Sequence, residues 1–131
     1  MSDQPMYNVG LKNRREVLGA EYVDAAINNA DSFNAEFQAL VTQYCWGEIW
    51  SREGLTRRER SLINLAMISA LNRPHELKLH VKGALTNGLT HDDIKEVLLQ
   101  VMIYCGVPAA VDGFRIAREV IGHDNDREPT K

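Results

Sequence analysis

Little in this sequence is arranged for thiol, metal or phosphate chemistry. Only two cysteines occur, Cys45 and Cys105. They form no CxxC pair and have no histidine at zinc-ligand spacing, so neither a local dithiol nor a local zinc site is expected. Both lie among apolar residues and read as buried, reduced thiols, because free cysteine behaves as a small hydrophobe. There is no glycine-rich phosphate loop. Ser61 and Ser69 fall inside a helical stretch rather than on a strand-to-helix elbow, which leaves nucleophilic triads without support. No apolar run approaches the roughly 20 residues of a membrane span; the densest stretch, 62–71, is interrupted by Asn64 and Ser69. The opening MSDQPMYNVGLKNRR lacks the apolar core of a secretory signal, and a cytoplasmic location is expected. Charge is not one-sided either. The net charge is −3, and the basic pairs Arg14-Arg15 and Arg57-Arg58 have acids nearby, so no nucleic-acid partner is expected. The helix–corner–helix from 57 to 87 has the outline of a DNA-binding motif, but its long apolar first helix and the acidic balance argue against that use.

Helical periodicity is abundant, and no stretch alternates with period two. The length suits one domain, 1–131, with loose ends at 1–5 and 123–131. Six or seven helices are expected. The first runs from about Met6 to Leu18 and is weakened by Gly10; the second covers Ala20 to Ala30. Asp31 or Ser32 can cap a third, which carries Phe33, Phe37, Leu40, Val41, Tyr44 and Cys45 at three and four spacing and continues to Trp46, Ile49 and Trp50. Gly47 marks a kink or a close helix contact. Thr56 and Glu59 match a capping box for a helix reaching Leu71, apolar nearly all round and therefore expected to be buried. Asn72 stops it, and Pro74 starts the next helix, which ends near Asn87-Gly88. Thr90 to Asp93 open a further helix that Gly106 ends. Pro108 begins the last, where Ala109, Ala110 and Gly113 permit close approach.

The stretch from Arg60 to His80 holds the candidate chemistry. Glu76 and His80, four residues apart, share one helical face. Of the four histidines, only His80 sits mid-helix beside an apolar stripe. Spacing alone leaves the pair balanced between packing and acid–base work: a nearby carboxylate fixes a histidine's tautomer or raises its pKa. HELKLH is HExxxH rather than HExxH, and five residues rotate a helix by about 500°, which splays His75 from His80 and argues against a metal site. Trp46 and Trp50 can share a face as core, as interface or as the wall of a ligand pocket.

Several blocks, in order, resemble the carboxymuconolactone decarboxylases of aromatic catabolism: YNVGLKNRREVLG at Tyr7–Gly19, FNAEFQ at Phe33–Gln38, WGEIWSREGL at Trp46–Leu55, RSLINLAM at Arg60–Met67, NRPHELKLHVKGALTNG at Asn72–Gly88 and EVLLQVMIYCGVPAA at Glu96–Ala110. The resemblance covers nearly the whole chain. It implies an all-α bundle of the alkyl hydroperoxidase D-like type and a ring-shaped homo-oligomer, a hexamer. Peroxidases of that fold carry CxxC followed by a histidine; here the corresponding positions are Arg73, Glu76 and His80, so the thiols are gone and the histidine is kept.

The implied reaction converts the dicarboxylate 4-carboxymuconolactone to 3-oxoadipate enol-lactone and CO2. The substrate supplies its own electron sink, so no cofactor is expected. The resemblance makes His80 the proton donor or oxyanion ligand, with Glu76 orienting it. Arg60 or Arg15 would pair with a substrate carboxylate, although Arg60 also suits a structural ion pair at a helix start. Trp46 and Trp50 would supply apolar walls, and Tyr104 is a further candidate donor. A decarboxylase for a related substituted lactone and a non-catalytic helical binding or assembly protein remain as alternatives.

Overall fold

Thr56 and Thr90 each open a helix by the same device. The Thr56 hydroxyl accepts from the Glu59 amide at 3.1 Å while the Glu59 carboxylate accepts from the Thr56 amide at 2.8 Å. Thr90 and Asp93 repeat this at 3.0 and 2.9 Å. Each box satisfies two donors that a helix start leaves unpaired. The helix stops are equally local. Asn72 takes a left-handed φ of 61°, and Gly88 and Gly106 lie at 98° and 105°, where a Cβ is costly.

The structure, a computed structural model, describes residues 4–123. Its helices are α1 (Gln4–Leu18), α2 (Ala20–Asn28), α3 (Ala35–Leu40), α4 (Arg57–Leu71), α5 (Pro74–Thr86), α6 (His91–Cys105) and α7 (Val107–Ile121). A π-helical segment, Val41–Ile49, continues α3. Among the described residues there is no strand, and the expected all-α class holds. Pro5 is helical rather than loose, whereas residues 1–3 and 124–131 of the expected loose ends lie outside the described residues. No helix among the described residues is long and apolar enough to cross a membrane.

The chain divides into two compact units, Met1–Arg60 and Ser61–Lys131. In the first, α1 lies against the π segment with backbone touching backbone. A Cβ on Gly10 would overlap the Thr42 carbonyl oxygen and come within 2.8 Å of the Gly47 nitrogen. Gly47 meets the Met6 carbonyl in the same way. Gly10 is therefore a contact point rather than a weak place in α1.

Polar side chains stitch this contact. Buried Asn13 donates to the Trp46 carbonyl at 2.8 Å and to Ser51 Oγ at 3.0 Å, and accepts from Arg57 at 2.7 Å. Buried Arg14 donates to Gln38 Oε1 and to Thr42 Oγ1 at 3.0 and 3.1 Å.

The stitching corrects the expected burial of residues 33–50. A single α-helix would bury Phe33, Phe37, Leu40 and Tyr44, yet these are exposed, Phe33 at 95%. Thr42, Gln43, Trp46, Gly47 and Trp50 are buried instead. The π segment, closed by the Trp50 amide on the Cys45 carbonyl at 3.0 Å, has more residues per turn and carries a different face inward. That face offers the acceptors that Asn13 and Arg14 require once they are withdrawn from water.

In the second unit, Leu65, Leu77, Val81, Ala84, Leu89, Ile94, Leu98, Ile116 and Ala117 form one core. The Asn87 amide donates to Ser61 Oγ at 2.9 Å and ties the end of α5 to α4. Gly113 is buried where a Cβ would meet a Leu98 methyl at 2.7 Å, which matches the close approach expected there. Two further expectations fail. α4 is not buried all round: Ser61, Leu65 and Ser69 face inward, but Ile63, Met67 and Leu71 are exposed. Both cysteines are free and exposed rather than buried.

Candidate functional site

α5 begins where Asn72 turns the chain and Pro74 supplies a fixed φ at the first helical position. From there Leu77, Val81 and Ala84 face the core, which sets the register of the helix. His80 follows as a half-buried neighbour of that stripe, while Glu76, one turn earlier, is exposed. Burial pushes the His80 imidazolium pKa below its ordinary 6.5, and the charge of Glu76 pulls more weakly the other way. The ring is therefore neutral at pH 7. It offers one N–H donor and one acceptor nitrogen, with a carboxylate within electrostatic reach to bias which nitrogen holds the proton.

The sign of this shift carries a testable consequence. A histidine whose folded pKa is depressed binds fewer protons folded than unfolded, so its contribution is intact above 6.5 and is lost as pH falls toward the folded value. Denaturation midpoints measured from pH 7.5 down to pH 5 should fall more steeply for the native protein than for His80→Gln. Parallel curves would show that His80 titrates as it does in the unfolded chain.

The remaining candidates are placed as follows. Trp46 and Trp50, 3% and 6% exposed, stack with ring centroids 4.6 Å apart and planes 16° from parallel, packed with Val17. Four residues come close to one π-helical turn, which brings the rings into register. Arg15 is exposed and pairs with Asp24 at 3.1 Å. The Arg60 guanidinium donates to the Arg52 carbonyl at 3.2 Å, and its Nε is buried without an acceptor. Tyr104, near the end of α6, is 78% exposed. Glu59 caps α4; its hydrogen bonds from Thr56, helped by the charges of Arg58 and Arg60, hold its pKa low. The fold thus brings together Glu76 with His80 and Trp46 with Trp50. It gives Arg15 an acid partner in contact, whereas among the described residues Arg60 donates to a backbone carbonyl and feels Glu59 only through its charge. Among the described residues no three His, Cys, Asp or Glu side chains converge as a metal-ligand cluster.

Sequence reasoning overlooked Arg14, which it grouped with Arg15 as a basic pair with acids nearby. Arg14 is buried, its Nε lacks an acceptor, and burial lowers its pKa. Two adjacent arginines on a helix point about 100° apart, so one buried and one exposed is the ordinary outcome. Nothing in their spacing says which is which.

The carboxymuconolactone decarboxylase family model matches residues 35–119, and that span includes the Glu76–His80 pair. The chain belongs to the carboxymuconolactone decarboxylase family. Similarity to two named decarboxylases covers more of the chain than the matched span. The 4-carboxymuconolactone decarboxylase of Acinetobacter baylyi is 41% identical over 120 residues, 92% of this chain and 90% of that protein. A nitrosuccinic acid decarboxylase of Metarhizium robertsii is 38% identical over 122 residues, 93% of this chain and 85% of that protein. A 4-carboxymuconolactone decarboxylase of Pseudomonas putida is 35% identical over 48 residues, 37% of this chain. As a carboxymuconolactone decarboxylase family member, the chain carries at His80 a neutral imidazole at the edge of an apolar core.

Proposed function

We propose that the protein is a decarboxylase that converts 4-carboxymuconolactone to 3-oxoadipate enol-lactone and CO2 in the cytoplasm, as a step of protocatechuate (β-ketoadipate) catabolism. The observation that carries this reading is the 41% identity over nine-tenths of both chains with a relative of that name. The half-buried, neutral His80 one turn from Glu76 gives it a mechanism.

In the reaction the bond from the ring carbon to the departing carboxylate breaks and CO2 leaves. The electron pair moves through the ring double bond into the lactone carbonyl, and a dienolate forms. Protonation at the carbon α to that carbonyl completes the product. His80 donates a hydrogen bond to the dienolate oxygen or the proton to carbon, and Glu76 orients the ring. One well-placed donor to a developing oxyanion is worth about 2.7–4 kcal/mol. Arg60, whose guanidinium hydrogen-bonds a backbone carbonyl and has no carboxylate in contact among the described residues, is the stronger candidate to bind a substrate carboxylate; Arg15 is already paired with Asp24. Trp46 and Trp50 would act as apolar support, and Tyr104 as a second donor.

The family match runs through both compact units, which supports reading 1–131 as a single carboxymuconolactone decarboxylase domain. Exposed apolar side chains in each unit, among them Phe37, Leu71 and Ile103, support assembly into a homo-oligomer, read here as a hexamer.

The Metarhizium relative favours a second substrate reading. Nitrosuccinate and 4-carboxymuconolactone share a succinate core. In each, one carboxylate sits on the carbon attached to the electron sink, a nitro group or a conjugated lactone, and the other is one methylene away. A site built for that core discriminates by the shape of the sink. The test is to supply both acids to the purified protein, following lactone absorbance and CO2 release and identifying products by NMR. Turnover of the lactone at least tenfold above that of nitrosuccinate is expected. The reverse order would make the second reading correct, and release of CO2 from neither would overturn both, leaving a decarboxylase for a substituted lactone or a helical binding protein.

A further inference from the structure

The start of α6 and the end of α7 lie side by side, because Gly106 folds the two helices back on each other. Between them is a hollow of about 340 Å³, within the size range of small-molecule sites. Neither Glu76 nor His80 lines it. Its floor is apolar: Ile94, Leu98 and Ala117 are core residues, and Phe114 presents part of its ring. Its rim is charged. Lys95 has Asp92 at 3.7 Å, a loose pair, whereas among the described residues the Arg118 guanidinium meets the Gly122 carbonyl at 3.4 Å and His123 Nδ1 at 3.1 Å and no carboxylate. Among the described residues of the rim, which also include His91, two permanent cations face one carboxylate, an excess of positive charge above an apolar floor.

We propose that this hollow binds a small monocarboxylate with a flat apolar body. The carboxylate sits between Arg118 and Lys95, and the body lies on Ile94, Leu98 and Phe114. Arginine's planar fork matches a carboxylate in two parallel hydrogen bonds, and neither of its contacts among the described residues, the Gly122 carbonyl and the His123 ring, is a carboxylate. A dianion is disfavoured, because its second carboxylate would approach Asp92. A neutral molecule of the same shape keeps the floor contacts but leaves the cations unmet. The ligand class thus follows from the charge count and the lining. It does not depend on which acid the enzyme decarboxylates.

Benzoate is a suitable probe, with benzyl alcohol as its neutral counterpart and phthalate as the dianion. Titrated into the full chain labelled at its methyl groups, benzoate should shift the resonances of Ile94, Leu98 and Ala117 saturably. Benzyl alcohol and phthalate should each bind about tenfold more weakly or less, and Arg118→Gln and Lys95→Gln should each weaken benzoate about tenfold. Both side chains are exposed, so the variants should fold, and unchanged methyl spectra without ligand would verify it. The proposal is overturned by the absence of saturable shifts at these methyls, by equal affinity for the alcohol, or by benzoate binding that survives both substitutions. Because the readout is binding at α6 and α7, a negative result leaves the decarboxylase reading untouched.

Discussion

Replacing His80 with alanine is expected to lower kcat on 4-carboxymuconolactone by about 10²–10⁴-fold, the usual contribution of a positioned proton donor. Because the proposed hydrogen bond strengthens only as negative charge develops, kcat and kcat/KM should fall together, with KM little changed. The substitution removes a half-buried ring beside the Leu77–Val81 stripe, so some loss of stability accompanies it. His80→Gln separates the two effects. Glutamine keeps a hydrogen-bond donor but cannot act as an acid near neutral pH. If His80 binds the oxyanion, the glutamine variant retains much of the activity that alanine loses. If His80 delivers the proton, both variants are equally slow. Near wild-type turnover by a folded His80→Ala protein would remove the residue from the mechanism altogether. Glu76→Gln should have a smaller effect, because an exposed carboxylate one turn away acts on the ring through tautomer and field rather than by contact with substrate.

The contrast between the two units shows which physical rules a sequence carries openly. Capping boxes and corner residues depend on a few neighbours, so Thr56–Glu59, Thr90–Asp93, Asn72–Pro74 and Gly106 were readable as helix starts and stops. The Glu76–His80 pair was readable for the same reason, since a helix fixes the geometry of residues four apart. The faces of the helix around residues 33–50 were not readable. There Phe33, Phe37, Leu40 and Tyr44 point outward, and the buried face sets polar Thr42 and Gln43 beside Trp46 and Trp50, because Asn13 and Arg14, far away in sequence, need acceptors. A π-helical turn also changes which residues share a face, and no local residue announces it. Exposed Ile63, Met67 and Leu71 on α4 make the same point from the other side: an apolar residue declares a need for burial, but not whether the same chain meets it. For the site, sequence placed the pair on one helix face. It could not distinguish Arg15, paired on the surface, from Arg60, whose Nε is buried without an acceptor.

The glycine contact between α1 and the π segment gives the largest expected effect on folding. Gly10→Ala adds a single methyl, yet the three nearest atoms that the methyl would meet are all backbone: the Thr42 carbonyl oxygen and carbon and the Gly47 nitrogen. Backbone cannot swing aside as a side chain does, so α1 and the π segment must separate. Separation stretches the hydrogen bonds of Asn13 to the Trp46 carbonyl and of Arg14 to Thr42, leaving buried polar groups unmet in addition to the steric cost. Overpacking alone typically costs about 1–3 kcal/mol, so a loss at or above the top of that range is expected. Gly54→Ala is the control, because a Cβ there meets nothing within 4 Å and its φ is not left-handed. Denaturant midpoints should drop sharply for Gly10→Ala and stay within experimental error for Gly54→Ala. The Trp46–Trp50 stack reports on the same unit independently, since rings 4.6 Å apart couple strongly enough to give a paired band in far-ultraviolet circular dichroism. That band should weaken or vanish with Gly10→Ala even where the core of α5, α6 and α7 stays folded. A Gly10→Ala protein with an unchanged midpoint and an intact tryptophan band would mean that α1 does not rest on the π segment at Gly10, and the polar stitching of the first unit would have to be assigned anew.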